Sequence, residues 1–382
     1  MNSGVSYFIT RLGDYDRYLL FTVVLIAGTG MVMLYSASSG IGRELGDSEI
    51  YLKGHFVRLL IGFAIMAVTM RIDYRLYKKI AVPLLLAALL VLAGGLIHHR
   101  IAGGAPTARW IYVGGISVQT SEFMKFALIA YIAYYLDKKK NKIGSFSDGL
   151  LPSVIVLSIA SVLILKQPDF STSAMLIAIT FIMLFVGNAR LSHLFAVGSI
   201  GGLLMVLSLF NSSYQIQRIK SFLEGGDLAG AGYQMQQSLM SLGGGGLLGL
   251  GLGESVGKNL FLPTPHTDFI LAIIGEEMGF VGVLIISTMF LIFFFRGLKI
   301  AKSAKDPFGV YLAVGLSTSI FLYAMVNAAV VSGLLPVTGL PIPLVSYGGS
   351  NVLYTLGSAG VLLNISSMDL TARRKKYKRS AN

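Results

Sequence analysis

In the stretch LPTPHTDFILAIIGEEMG (Leu262 to Gly279), His266 and Asp268 stand at the mouth of an apolar run, with Glu276 and Glu277 two turns further in. An imidazole and a carboxylate at such a boundary can move protons, and Asp268 could take one from a hydroxyl that comes within hydrogen-bond reach. Pro263 and Pro265 stiffen the approach, and Thr267 or Asp268 could instead cap the following helix. At helical rise the two glutamates lie about 12–14 Å deeper than Asp268. That is too far to share its proton, so their expected task is pairing with buried basic groups.

The remaining ionisable residues in apolar surroundings are few. In SEFMK, Glu122 and Lys125 are three residues apart and share a helix face, either as an ion pair that lets both be buried or as one wall of a polar cavity. Arg109, in the preceding RWIYVGG, adds positive charge, and such a cluster suits a phosphate or pyrophosphate. In QPDFST, Pro168 interrupts a helix and Asp169 opens the next run, as a cap, a functional acid or both. The run SLGGGGLLGLGLGES lacks the GK[ST] ending of a phosphate-binding loop and reads as flexible backbone along the membrane surface. GLLPVTGLPIPLVSYGGSN, with three prolines and a Gly-Gly pair, reads as an irregular segment lining a cavity.

The elements that must hold these groups are membrane helices. The 382 residues are 54% hydrophobic and 13% charged, too apolar for a water-soluble surface. Apolar segments predict an all-α, polytopic membrane protein of ten helices, near 18–37, 55–70, 80–98, 118–136, 150–165, 171–187, 192–210, 268–295, 308–331 and 346–366. The expected organisation is one transmembrane domain over 1–372, an extracytoplasmic loop of about 211–267 between helices 7 and 8, and a basic tail, 373–382. With both termini inside, 21 of the 31 Lys and Arg fall in internal segments and 8 in external ones, as the positive-inside rule requires. The net charge of +13 is then topological and does not point to nucleic acid. The first apolar run reads as an uncleaved signal anchor. The absence of cysteine excludes disulfides and thiol chemistry.

Taken together and in this order, RWIYVGGISVQTSEFMK, KQPDFSTS, YQMQQSLMSLGGGGLLGLGLGES, FLPTPHTDFILAIIGEEMGFVG and GLLPVTGLPIPLVSYGGSN resemble the SEDS family (shape, elongation, division and sporulation). The resemblance implies a ten-helix glycosyltransferase that polymerises lipid II into peptidoglycan strands at the outer face of the bacterial cytoplasmic membrane. YQMQQSLMSLGGGG and DFILAIIGEE favour a division-type member over an elongation-type one, although GLPIPLVSYGG leans the other way. Residue by residue, it places the essential acid on Asp268 and matches Glu122, Lys125 and Asp169 to family motifs. Thr264 and Pro265 stand where the family usually has Glu-Ala, Ser171 replaces a Gly, and Asn351 replaces a Ser.

The implied reaction needs a base for the acceptor hydroxyl and cations for the pyrophosphates. Asp268 is the candidate base, with His266 beside it; Arg58, Arg109, Lys125, Arg218 and Lys258 are candidate cations, with Glu122 and Asp169 in the same cavity. A divalent cation such as Mg or Mn could share that work, although no ligand set in the sequence demands one. Implied partners are lipid II, the undecaprenyl-linked glycan strand, a class B penicillin-binding protein and other divisome or elongasome proteins. The rival readings are a flippase for the lipid-linked precursor and a scaffold without activity.

Overall fold

The computed structural model describes residues 15–44, 46–101, 109–113, 116–210, 213–224, 230–259 and 261–380. Its elements in order are α1 (Arg17–Glu44), α2 (Ile50–Arg71), α3 (Arg75–Ile101), the strands β1 (Trp110–Val113) and β2 (Ile116–Gln119), α4 (Thr120–Lys139), α5 (Leu151–Leu165), α6 (Phe170–Val186), α7 (Leu191–Phe210), α8 (Ser213–Glu224), α9 (Ala231–Gly245), α10 (Ile270–Ser303), α11 (Pro307–Val331) and α12 (Ser350–Ser380). Each of the ten expected apolar segments falls on one of these helices. Seven helical segments among the described residues are long and apolar enough to cross a bilayer: α1, α2, α3, α5 with the π-turn before it, α7, α10 and α11. α6 is apolar but only 17 residues long, while α4 and α12 dilute their apolar sequence with buried polar groups.

α4 and α11 form the centre. α4 packs against α3, α6, α11 and α12, and α11 also against α10, so polar side chains on these helices are shielded from lipid. α7, with only Leu194 buried, is peripheral. Phe21, Leu90, Phe195 and Leu204 are exposed on the outer surface, as lipid-facing residues should be. At one end of the bundle, Asp306 caps α11 through Gly309 N (2.9 Å) and accepts bonds from Tyr74 Oη (2.5 Å) and Arg75 Nε (3.1 Å). Asn364 on α12 donates to Met70 O and accepts from Tyr74 N, fixing the α2–α3 turn.

Four features differ from the sequence expectation. Besides helices there is a small antiparallel hairpin, with Trp110 opposite Gln119 and Val113 opposite Ile116. The segment expected as a hydrophilic loop carries α8 and α9. The tail continues α12 as helix to Ser380, and residues 381–382 lie outside the described residues.

The Gly-rich run is the largest difference. α10 is broken at Gly279 (φ 65°, ψ −165°), which frees the carbonyls of Glu276 and Glu277 and the amides of Phe280 and Val281 from the helical ladder. The Gly-rich run takes up all four: Leu250 N and Gly251 N donate to Glu276 O and Glu277 O (both 3.0 Å), and Phe280 N and Val281 N donate to Gly246 O (2.9 Å) and Leu247 O (3.2 Å). Since Gly279 is nine residues into α10, the run reaches about 14 Å down that helix instead of staying at its first turn. A broken helix is tolerated at such depth because the freed groups are satisfied by protein. The contact needs glycine on both sides, since a Cβ on Gly249 or Gly279 would collide with the backbone of the facing segment.

Gly279→Ala should therefore lower the unfolding midpoint of the purified protein in detergent, at a cost of about 1–3 kcal/mol for the backbone conformation alone. Gly28→Ala, in α1 with open space where its Cβ would go, should leave the midpoint unchanged or raise it slightly, since Ala is the better helix former.

Candidate active site

Asp268 and His266 sit in the turn ahead of α10, facing the irregular segment between α11 and α12. The turn is held by Asn327 on α11, whose amide donates to Asp268 O and to Leu340 O, both at 2.7 Å. Asn327 is thus a clip between the start of α10 and the VTGLPIP backbone. A polar residue in the apolar YAMVNAAVV was its only signal in the sequence. Gly339 (φ 76°) passes so near the Asp268 carboxylate that a Cβ there would stand 3.5 Å from Oδ2. Burial pushes the Asp268 carboxyl up to about 6, while Arg218 and Arg109 pull the other way. Arg218, on α8, is steered by a bond from Nη1 to Val337 O (3.0 Å). A carboxylate poised between medium and cations near neutral pH has the profile of a general base.

His266 forms the second wall. Its ring lies between Tyr51 (4.3 Å between centroids) and Tyr347 (5.8 Å), and its carbonyl accepts from Tyr347 N at 2.8 Å. Burial pushes the imidazole down to about 4, so it is neutral at physiological pH and adds no charge beside Asp268. Arg58, on α2, stacks its guanidinium 4.4 Å from the centroid of Tyr347. Its Nη1 is buried and has no hydrogen-bond partner among the described residues, a donor suited to an anionic ligand.

The hairpin brings in the third wall. Arg109 donates through Nε to Gln167 O (3.0 Å) and through Nη2 to Pro168 O, and its Nη1 lies 3.9 Å from Asp169 Oδ1. Asp169 caps α6 by accepting from Thr172 N (3.2 Å) and also accepts from Gln119 Nε2 (3.3 Å). The cap is therefore real, and it does not consume the second oxygen. Gln119 N donates to Ser350 Oγ at 2.6 Å, joining the hairpin to the SYGGS segment, and Ser171 Oγ donates to Thr338 O at 3.0 Å. The serine that replaces the expected glycine thus adds a tie to the irregular segment.

Two expected site residues are committed elsewhere. Lys125 Nζ pairs with Glu122 Oε2 at 2.7 Å and lies 3.8 and 3.9 Å from the ring centroids of Tyr323 and Tyr354, almost wholly buried. Lys258 is drawn to the Gly-rich anchor: Nζ pairs with Glu277 Oε1 (2.9 Å), and Ser36 Oγ donates to the same oxygen (2.5 Å). Glu276 accepts from Ser255 Oγ (2.5 Å) and from the amides of Val256 and Gly257. The glutamate pair is an anchor as expected, but only Glu277 uses a basic group; backbone amides satisfy Glu276.

Two apolar clefts open beside this assembly. One, of about 260 Å³, is lined by Ile65, Phe123, Phe126 and Leu353 with Gln119 and Glu122 at its polar side. The other, of about 300 Å³, lies between α6, α8 and α11 under Arg218 and Thr338. Among the described residues no three His, Asp or Glu side chains gather as a metal site.

Comparisons with known proteins place the chain in a family. Residues 16–370 match the family profile FtsW/RodA/SpoVE, described as cell cycle protein. The chain is 44% identical over 359 residues to the probable peptidoglycan glycosyltransferase FtsW of Trichlorobacter lovleyi, covering 94% of both chains. It is 38% identical to the stage V sporulation protein E of Bacillus subtilis, covering 94% of this chain and 98% of that one. Among solved structures, a chain from a peptidoglycan synthase complex that coordinates polymerization and crosslinking superposes with a TM-score of 0.77 at 25% identity, over 93% of this chain and 98% of that one. The rod shape determining protein RodA of Thermus thermophilus superposes with a TM-score of 0.69, also at 25% identity, over 93% and 97%. With one family profile spanning nearly the whole sequence and full-length relatives on both sides of it, this chain belongs to the FtsW/RodA/SpoVE family of multi-pass membrane proteins.

Proposed function

We propose that the protein is a peptidoglycan glycosyltransferase that polymerises lipid II, of the division type, with Asp268 as the base that activates the acceptor sugar hydroxyl. The observation that carries this reading is the half-buried Asp268 carboxylate, raised to about 6 and flanked by Arg218 and Arg109. A nucleophile needs a proton acceptor and a pyrophosphate leaving group needs fixed positive charge, and both are provided around one turn. Arg58, Arg109 and Arg218 face the pyrophosphates, and the two clefts receive the two prenyl chains. Asp169 and Glu122 position these groups, and Lys125 and Lys258 act through the packing they hold.

The reading places both termini in the cytoplasm and Asp268 at the outer face, within a single membrane domain. The division role rests on the named relatives. The solved complex that couples polymerization to crosslinking supports a class B penicillin-binding protein as partner. The test is purified protein supplied with lipid II in detergent, where a flippase has no sides to transport between and a scaffold makes nothing. Glycan product supports the enzyme; lipid II left intact under conditions where the Trichlorobacter lovleyi relative makes glycan would refute it.

The same assay gives a pH prediction. Asp268 serves as base only when ionised, and its carboxyl stands near 6. Activity should therefore be constant above about pH 7 and fall about tenfold per unit below about pH 6, a limb measured as kcat/KM against pH. A limb centred near pH 4 would show that the essential carboxylate is an ordinary exposed one.

A further inference from the structure

At the end of the bundle away from Asp268, the start of α1 and the end of α10 enclose a cleft of about 610 Å³. Arg17 lines it from α1; Arg296, Lys299 and Lys302 line it from α10, at successive intervals of three residues that bring them to one face. Arg296 is already neutralised: it grips both oxygens of Asp16, which also caps α1 through Leu19 N (2.9 Å), and lies 4.8 Å from the centroid of Tyr18. Arg17, Lys299 and Lys302 have no acidic partner among the described residues and are exposed at the rim.

One turn towards the membrane centre the character reverses. Phe21 follows Arg17 by four residues and Phe295 precedes Lys299 by four, and both rings are largely exposed on the outer surface. A cationic rim directly above exposed apolar rings on the same two helices matches a phosphate group with acyl chains beneath it. It does not match a soluble anion, which has nothing to place on the rings.

We infer that the cleft between α1 and α10 binds the headgroup of an anionic glycerophospholipid, with Arg17, Lys299 and Lys302 on its phosphate oxygens. The Asp16–Arg296 pair is the rigid floor. A bound lipid would bridge the two helices at this end, as Ser36, Glu277 and Lys258 bridge them further along. The site lies apart from the proposed glycosyltransferase centre and does not depend on that reading.

The test is native mass spectrometry of the detergent-solubilised full chain with equimolar phosphatidylglycerol and phosphatidylcholine. The wild type should retain phosphatidylglycerol in preference, and the Lys299→Ala/Lys302→Ala variant should lose that preference by about 30-fold, each basic residue near a headgroup contributing roughly fivefold. Lys140→Ala/Lys142→Ala removes two charges from the α4–α5 connection and should retain the wild-type preference within about twofold, as charges outside the cleft should. Equal loss in both variants, or no loss in the first, would overturn the site. Soluble glycerophosphoglycerol at the lipid's concentration should not displace it; displacement would mean a free-phosphate site and would also overturn the proposal.

Discussion

Replacing Asp268 with Asn is expected to slow lipid II polymerisation by about 10²- to 10⁴-fold, the range a lost general base produces. The amide keeps the shape of the carboxylate, and the Asn327 bond goes to the backbone carbonyl of residue 268, so the turn stays in place. Stability separates this from a structural defect. Because the folded-state pKa is raised above its ordinary value, the folded protein binds that proton more tightly than the unfolded chain. Ionising Asp268 then costs folding stability between pH 3.8 and about 6, and the cost is complete above that. At pH 7.5 the Asn variant should thus unfold at the same temperature as wild type or higher while being nearly inactive. A variant that polymerises at the wild-type rate would remove Asp268 from the mechanism; one that is inactive and also less stable would make its role structural.

Asp268, Arg109 and Asp169 could be found in the sequence because a charge in apolar surroundings is expensive and therefore conspicuous. Their surroundings were less visible. Nothing local announces that Asn327 will meet a carbonyl 59 residues away, or that Gln119 will join Asp169 to Ser350. Such pairings depend on which helix faces meet in space. The Gly-rich run misled for a related reason. Glycines predict freedom only where nothing approaches them; here Gly249 and Gly279 are glycines because two backbones touch, and the partner backbone lies in another segment. Lys258 shows the converse: its charge was legible, but its assignment to Glu277 depended on that same docking. The apolar cores of the ten expected helices were readable, since length and hydropathy are local properties, but α1, α10 and α12 run on by about two to four turns past the expected ends, and α8 and α9 lay hidden in the expected loop.

The Glu122–Lys125 pair decides how far a buried charge can be read as chemistry. Removing Lys125 alone, as Lys125→Met, leaves Glu122 without its cation and should cost about 3–5 kcal/mol, seen as a large drop in the unfolding midpoint and in membrane-inserted yield. Combining it with Glu122→Gln removes the stranded charge, and well-packed neutral replacements of buried pairs are often nearly neutral for stability. The double variant should therefore regain most of the lost midpoint. Its activity is the discriminating quantity. The ammonium is enclosed by the Glu122 carboxylate and the rings of Tyr323 and Tyr354, which leaves no face for a phosphate. A cation held in that way orients α4 against α11 and α12 and cannot itself touch the leaving group. Polymerisation by the double variant should recover with stability, to within about tenfold of wild type, a loss worth about 1.4 kcal/mol in the barrier. If stability returned and activity stayed about 10²-fold or more below wild type, Lys125 would belong to the pyrophosphate site, and the structure would have to open between Tyr323 and Tyr354 during the reaction.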